Sequence, residues 1–323
     1  MHRTRRSFLG IMACGAAAFA ARARAQAFPT RFVKLVVPFA PGGATDVLGR
    51  ILAKAMGESL HQSVVVENHP GAGGTIGTEY VTRQPADGYT FLLINAIPHT
   101  ASKSLYPGIS YDPVKSFTPI GALGTVRYML IVNNDSPARN LPQFIEMARA
   151  QPDKLNFGSA GVGSAPHLAM ELFERAANIR MEHVPYTGSG PAITDLIGGR
   201  IQAIMENTPA VPLIKAGRLR ALAVTGTTRT TTFPDVPTFA EAGLANFDVT
   251  GSWGLVGAAG LPPATVTALN RALEAALKDS TVRNTLAAQG IDPAYGSADA
   301  YGATLVSELD KWTKLIHEAN IKL

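Results

Sequence analysis

The chain has 323 residues, 46% of them hydrophobic and 16% charged, which excludes a disordered polymer and leaves room for two domains or one large one. Lysine and arginine total 29 against 24 acids, but five arginines and no acid fall within residues 1–25, so the remainder balances at 24 against 24 and offers no basic excess for nucleic acid. The single cysteine, Cys14, lies in the same leading stretch, which excludes disulfide and thiol chemistry from everything after it.

Residues 1–27 read as a cleaved secretory signal peptide. Arg3, Arg5 and Arg6 form a basic head, Phe8 to Ala21 an apolar run too short to span a bilayer comfortably, and Ala23-Arg24-Ala25 and Ala25-Gln26-Ala27 two small-residue cleavage sites. Thr4-Arg5-Arg6-Ser7-Phe8-Leu9 looks like a twin-arginine signal, with an ordinary signal carrying adjacent arginines as the alternative. Ile11-Met12-Ala13-Cys14 only faintly resembles a lipoprotein box, because the apolar run before it is very short. The expected destination is the periplasm.

Phe32 to Val37 is a β-branched, apolar run that predicts a buried strand. Pro38, Pro41, Gly42 and Gly43 break it, and Thr45 or Asp46 is placed to cap a helix. Val47, Leu48, Ile51, Leu52, Ala55 and Met56 then recur at helical spacing. A glycine-rich turn running into a helix start presents unpaired backbone N–H groups with the positive end of the helix dipole behind them. Such a place holds an anion without lysine or arginine, or is simply a βα turn.

Strands and helices alternate along the rest, which predicts parallel sheet in βα units. Ser63 to Glu67 is a strand, Asn68 to Gly74 a second glycine loop, and Thr75 to Arg83 a short helix. Tyr89 to Ile94 is a strand, and Asn95 to Asp112, with Pro98 and Pro107, a long loop. Phe117 to Val132 holds two strand-like runs. Asn133 to Pro142 is polar and turn-rich, which suggests a boundary near there. Leu141 to Ala150 is a helix and Leu155 to Phe157 a strand. Gly158 to Ser164 is a third small-residue loop, opening a helix over Ala165 to Ala177. Glu182 to Val184 leads to a fourth, Pro185 to Gly190, opening a helix over Ala192 to Ile197. Ile201 to Met205 and Leu219 to Val224 are strands. Thr225 to Thr232 leads back towards a strand at Ser252 to Val256. Helices over about 263–278, 280–288 and 298–318 close the chain. Tyr301, Leu305, Leu309, Trp312 and Ile316 share a face of the last, a core stripe.

The organisation expected is α/β with two lobes: residues 28–125 plus 251–323, and residues 126–250. The small-residue loops follow strands and would converge beyond their carboxyl ends, on a cleft between the lobes. Enzyme motifs are absent: no nucleotide P-loop, no HExxH, no metal-spaced cysteines and no GxSxG elbow. Gly161-Val162-Gly163-Ser164-Ala165-Pro166 starts like a dinucleotide fingerprint but ends in proline. No catalytic residue, metal site or cofactor is assigned. His167 and His99 either touch a ligand or serve as surface or supporting groups, and His183, inside a strand pattern, reads as structural. Glu206, beside Asn207, either accepts from a ligand ammonium or hydroxyl or caps the helix near Pro212. Arg127, next to Tyr128, either pairs with a ligand carboxylate or is a solvated hinge residue. Asp46 suits a helix cap better than a ligand contact, since it would repel an anion. Phe39 packs on an apolar part of a ligand or plugs its loop.

Taken together, LVVPFAPGGATDVLGRILA, VVVENHPGAGGTIGTEYV, DGYTFLL, YDPVKSFTPI, LNFGSAGVGSAPHLAMELF, HVPYTGSGPAITDLIGG, IKAGRLRALAVT and FPDVPTFAEAGL, in this order, resemble the Bug-type extracytoplasmic solute receptors of tripartite tricarboxylate transporters. The resemblance implies a two-lobed, type II periplasmic-binding-protein (Venus-flytrap) fold. It implies a di- or tricarboxylate, acidic amino acid or aromatic acid held in the interlobe cleft by backbone amides, hydroxyls, waters and helix N-termini. Its partner would be the transporter's membrane permease or a sensor domain. Carried over by residue, it assigns ligand binding to Phe39, Gly43, Ala44, Thr45 and Asp46 in the first loop. In the second lobe it assigns Ser159, Gly163, Ser164, His167, Tyr186, Thr187, Gly188 and Ser189, with Glu206 and Asn207 at a strand end. That strand end is usually Asp-Asn, and Arg127-Tyr128 departs from the commoner Pro-Asn, so the distal pocket is the place where this chain differs. A signalling receptor and an exported enzyme are the competing readings.

Overall fold

In a computed structural model, residues 28–319 and 321 are described, apart from 248 and 289; the leader read at residues 1–27 lies outside them. The chain begins with β1 (Val33–Val37), α1 (Ala44–Leu60), β2 (Val64–Asn68), a short turn of 3-10 helix at Ala72–Gly74, α2 (Thr75–Thr82) and β3 (Thr90–Asn95). β1 pairs in parallel with both β2 and β3, and the side chains of β3 are buried throughout. Such a strand, covered on both faces, needs a continuous apolar run instead of an alternating one. α1 lays Leu48, Leu52 and Met56 on the sheet with no exposed surface, the stripe its spacing predicts.

The long loop expected over Asn95–Asp112 is instead a helix over its first half, α3 (Ala96–Leu105). Asn95 caps it, accepting from the Ile97 N–H at 3.0 Å. Pro98 falls in the first turn, where its missing N–H costs no helical bond. The prolines that suggest a loop are therefore compatible with a helix start.

Next come β4 (Phe117–Arg127), β5 (Met129–Asn133), α4 (Leu141–Ala150), β6 (Asn156–Ser159), α5 (Ala165–Ala177), β7 (Glu182–Pro185), α6 (Ser189–Ile197), β8 (Ala203–Glu206), α7 (Val211–Lys215) and β9 (Leu219–Val224). β10 (Thr250–Ala258), α8 (Pro263–Lys278), α9 (Ser280–Ala288), β11 (Ile291–Gly296) and α10 (Ala298–Ala319) complete the chain. One sheet runs β11-β4-β10-β3-β1-β2 and the other β7-β6-β8-β5-β9. Neither is wholly parallel, which corrects the expectation from βα alternation. β10 runs antiparallel to β3 and β4, and β5 antiparallel to β8 and β9. β5 and β10, the strands that follow each change of sheet, run against the βα units of their sheets, while β4 runs parallel to β1, β2 and β3.

The change of sheet takes a single residue. Arg127 ends β4, Met129 begins β5, and Tyr128 lies between them. The return lies between Val224 and Thr250, and Thr250 pairs with Arg127. Tyr128 and Thr225 lock the two passages together: the Tyr128 N–H donates to Thr225 Oγ1 at 2.9 Å, and the Thr225 N–H donates to the Tyr128 carbonyl at 2.8 Å. The polar stretch Asn133–Pro142 connects β5 to α4 within the second lobe. Phe173, Phe239 and Phe247 meet edge-on in that lobe's core. Tyr301, Leu305, Trp312 and Ile316 of α10 are buried against the first lobe, as their spacing predicts.

Candidate functional site

A cleft with about 400 Å3 of empty space, part of it open to solvent, lies between the lobes. Phe39, Gly43, Thr45, Asn95, Pro98 and Trp253 line it from the first; Ala160, Ser164, Ala165, Pro166, Ser189, Glu206 and Asn207 line it from the second; Tyr128 comes from the crossover. Three helices begin on it. α1 starts after the N-cap Gly43, α5 after the N-cap Ser164, and α6 after the N-cap Gly188, and none of the three has a side-chain cap. The first N–H groups of each helix have no intrahelical acceptor and carry the positive end of the dipole. Among the described residues, no lysine or arginine lines the cavity.

Two residues lining this space carry a buried polar atom without a hydrogen-bond partner. Ser164 is fully buried and its hydroxyl has no hydrogen bond, although a serine at an N-cap ordinarily closes onto its own helix. The indole N–H of Trp253, 2% exposed, is likewise unpaired. A buried donor left without an acceptor costs roughly 1–3 kcal/mol, which an incoming acceptor recovers. Glu206 is the one acid on the cavity wall among the described residues and is 3% exposed. Burial pushes its carboxyl up to about 6, while hydrogen bonds from Ser189 and from the Asn207 N–H, at 3.0 Å, favour its charged form. Tyr128 is fully buried beside it and accepts from Asn95 Nδ2 at 2.6 Å; burial and then the Glu206 charge raise its phenol.

The lobes touch across the cleft. Tyr106, just after α3, donates its hydroxyl to the Val162 carbonyl at 2.6 Å. Gly73 packs so closely that a Cβ there would stand 2.4 Å from the same carbonyl. Gly43 faces the Ser189 nitrogen, and Gly188 faces Ala40. The arrangement is a closed one, with small residues where backbones of opposite lobes meet.

The model of the tripartite tricarboxylate transporter family receptor matches residues 48–321. The chain belongs to that family. It is similar to BugT of Bordetella pertussis, 38% identical over 95% of both chains. Among solved structures it resembles the periplasmic binding protein BugD, with a TM-score of 0.88 at 35% identity, covering 92% of this chain and 100% of that one. It also resembles MatC from Rhodopseudomonas palustris with bound malate, with a TM-score of 0.85 at 32% identity over 90% and 100% of the two chains. A further R. palustris protein, solved with adipate, has a TM-score of 0.88 at 35% identity over 92% and 100%. The fold is thus the two-lobed one of periplasmic binding proteins. Among the described residues, no helix is long and apolar enough to cross a membrane.

In this receptor the residues named from sequence fall into two groups. Phe39, Gly43, Thr45, Ser164, Ser189, Glu206 and Asn207 line the cavity, with the Ala44 N–H at the start of α1. The others brace the loops. Asp46 accepts from the Gly42 N–H and the Arg50 guanidinium, both at 2.9 Å, and from Asn68. Burial alone would raise its carboxyl, but Arg50, Gly42 and Asn68 hold it below the usual value. The cap of α1 is therefore Gly43, and Asp46 reaches back from the first turn to Gly42. Ser159 bonds to both backbone groups of Gly161 and to His183 Nε2 at 2.7 Å. The Gly163 N–H donates to His167 Nδ1 at 3.1 Å, and His167 stacks on His183. Tyr186 donates to Asp195 at 2.8 Å, exposed Thr187 follows it, and Gly188 caps α6.

Arg127 is off the wall of this cavity, at the crossover, with its side chain 24% exposed. Its guanidinium donates to the carbonyls of Thr228 and Arg229, at 2.6 and 3.1 Å, and braces the threonine-rich return. His99 is buried in α3 with Nε2 2.7 Å from the Pro113 carbonyl, and burial pulls it down to about 4. Asn95, Pro98, Ala160 and Trp253 are wall residues that sequence reasoning did not single out. Asn95 was hidden by reading α3 as loop. For Trp253 the available signal was a tryptophan on the strand that returns between lobes.

Proposed function

We propose that this receptor captures a small organic carboxylate between its lobes and presents it to the membrane permease of a tripartite tricarboxylate-type transporter. The observation that carries this is the convergence of uncapped helix starts on an interlobe cavity whose wall carries no lysine or arginine among the described residues. The carboxylate accepts from the N–H groups that open α1, at Gly43, Ala44 and Thr45, and from the Ser164 hydroxyl and α5 start opposite. Phe39, Pro98 and Ala160 take its apolar body. Asp46, Ser159, Gly163, His167, Tyr186, Thr187 and Gly188 hold the loops that aim those groups. Malate and adipate in the related structures support a carboxylate.

Residues 28–125 with 251–323, and residues 126–250, act as the two closing bodies, and ligand favours the closed state because only there do both lobes contact it. The leader sends the chain to the periplasm, by the twin-arginine route. Binding occurs without turnover. Ser159 and His183 are within hydrogen-bond distance, but the serine is tied to Gly161 and burial, then the His167 charge, pull His183 down to about 4, too low for a base near neutrality. Thermal-shift screening against organic acids tests the proposal. At least one carboxylate raises the melting temperature, and the shift grows with the logarithm of its concentration above the Kd. If no carboxylate shifts it, or a bound acid is converted to product, the proposal fails.

A further inference from the structure

The three helix starts on the cavity are not equivalent. Those of α1 and α5 face open space, and the Ser164 hydroxyl beside the second is unpaired. The start of α6 already faces an anion of the protein's own, because Ser189, its first residue, hydrogen-bonds the buried carboxylate of Glu206. Trp253 lines the same cavity. It is the ladder partner of Asn95, Asn95 donates to Tyr128, and the charge of Glu206 acts on Tyr128. The cavity wall thus holds a buried N–H lacking an acceptor and a buried carboxylate that accepts.

We infer that the pocket holds one ligand anion and no more, and selects a monocarboxylate whose far end is a neutral hydroxyl, accepting from the Trp253 N–H and donating to the Glu206 carboxylate. This rests on the carboxylate capture proposed above and narrows it. A hydroxyl both donates and accepts from a single atom, whereas a carboxamide, which also does both, needs two. A methyl end leaves the indole N–H unpaired. An ammonium satisfies Glu206 but not Trp253. A second carboxylate accepts from Trp253 but brings a like charge against Glu206 in a wall without cations, a penalty on the order of a hundredfold in affinity.

Calorimetric titration of the purified protein at mildly alkaline pH tests this with three sets of equal-length acids. They are butanoate, its ω-hydroxy derivative and succinate; hexanoate, its ω-hydroxy derivative and adipate; and benzoate, para-hydroxybenzoate and terephthalate. In the set that binds most tightly, the hydroxy acid exceeds the unsubstituted acid by ~10-fold and the dianion by ~100-fold. Glu206→Gln brings the dianion to within ~10-fold of the hydroxy acid, and Trp253→Phe removes the hydroxy acid's advantage over the unsubstituted one. A dianion that binds as tightly as the hydroxy acid overturns the inference and leaves carboxylate capture standing, as does a weak dianion that Glu206→Gln does not improve. Absence of binding in all three sets, while another acid raises the melting temperature, overturns the inference; absence of any carboxylate-induced shift refutes carboxylate capture itself. Should either variant not fold, the wild-type ranking alone decides.

Discussion

Ser164 stands at a helix N-cap with its hydroxyl bonded to nothing, in a position where serine ordinarily stabilises its own helix by about 1 kcal/mol. Its value therefore lies in the ligand. Ser164→Ala should lower carboxylate affinity by ~5- to 10-fold in calorimetry while leaving the urea midpoint unchanged, because no intramolecular bond is lost. Glu206 behaves oppositely, adding to binding selectivity at a cost in stability. Its folded value, about 6, lies above the ordinary 4.5. Between those values the folded protein holds a proton that the unfolded chain has released. Stability thus falls as pH rises through that window, by up to about 2 kcal/mol. Glu206→Gln escapes this loss, so its urea midpoint should gain on wild type as pH climbs from 4 to 7; a constant difference would show that Glu206 is not buried in its acid form. At this scale, composition pointed to the small and hydroxylic residues at the loop ends, Gly43, Thr45, Ser164 and Ser189, because turn chemistry is local. It did not point to Trp253 or Asn95, because which face of a fully buried strand meets the cavity is a tertiary property.

At the scale of elements, the recurring unit is a strand, a small-residue turn and a helix start. Small residues are required there because backbones from opposite lobes meet. Gly43→Leu would place a branched side chain between the first turn of α1 and the Ser189 nitrogen. Binding should fall below detection while circular dichroism stays native; unchanged affinity would remove the first loop from the site. Tyr106 is the clearest tie between lobes. Tyr106→Phe deletes its bond to the Val162 carbonyl, worth about 1 kcal/mol, and should weaken ligand affinity ~5-fold, chiefly through faster release. Helices with one apolar stripe were legible to the residue: α4, α5 and α8 occupy the ranges their periodicity marks. α3 was not, since Pro98 reads as a breaker unless Asn95 is seen to cap the turn that contains it. β11 was missed because Pro293 and Gly296 interrupt any alternation and the strand depends on β4 for its ladder.

For the whole molecule, βα alternation announced two α/β lobes but not the direction of the strands that join them. A strand leaving one sheet for another must suit both, and that condition is invisible in a local window. The same strands make the hinge, where Tyr128 and Thr225 bond reciprocally and Arg127 ties down the return. On the proposed reading, closure about this point would bring the starts of α1 and α5 to opposite sides of one carboxylate, with peptide N–H groups and a hydroxyl neutralising it in place of basic side chains. A crystal structure with the tightest-binding monocarboxylate tests this most directly. The ligand's carboxylate oxygens should accept from the backbone N–H groups at the α1 start and from Ser164, with no lysine or arginine in contact. A carboxylate paired with a basic side chain, or bound outside the cleft, would contradict it.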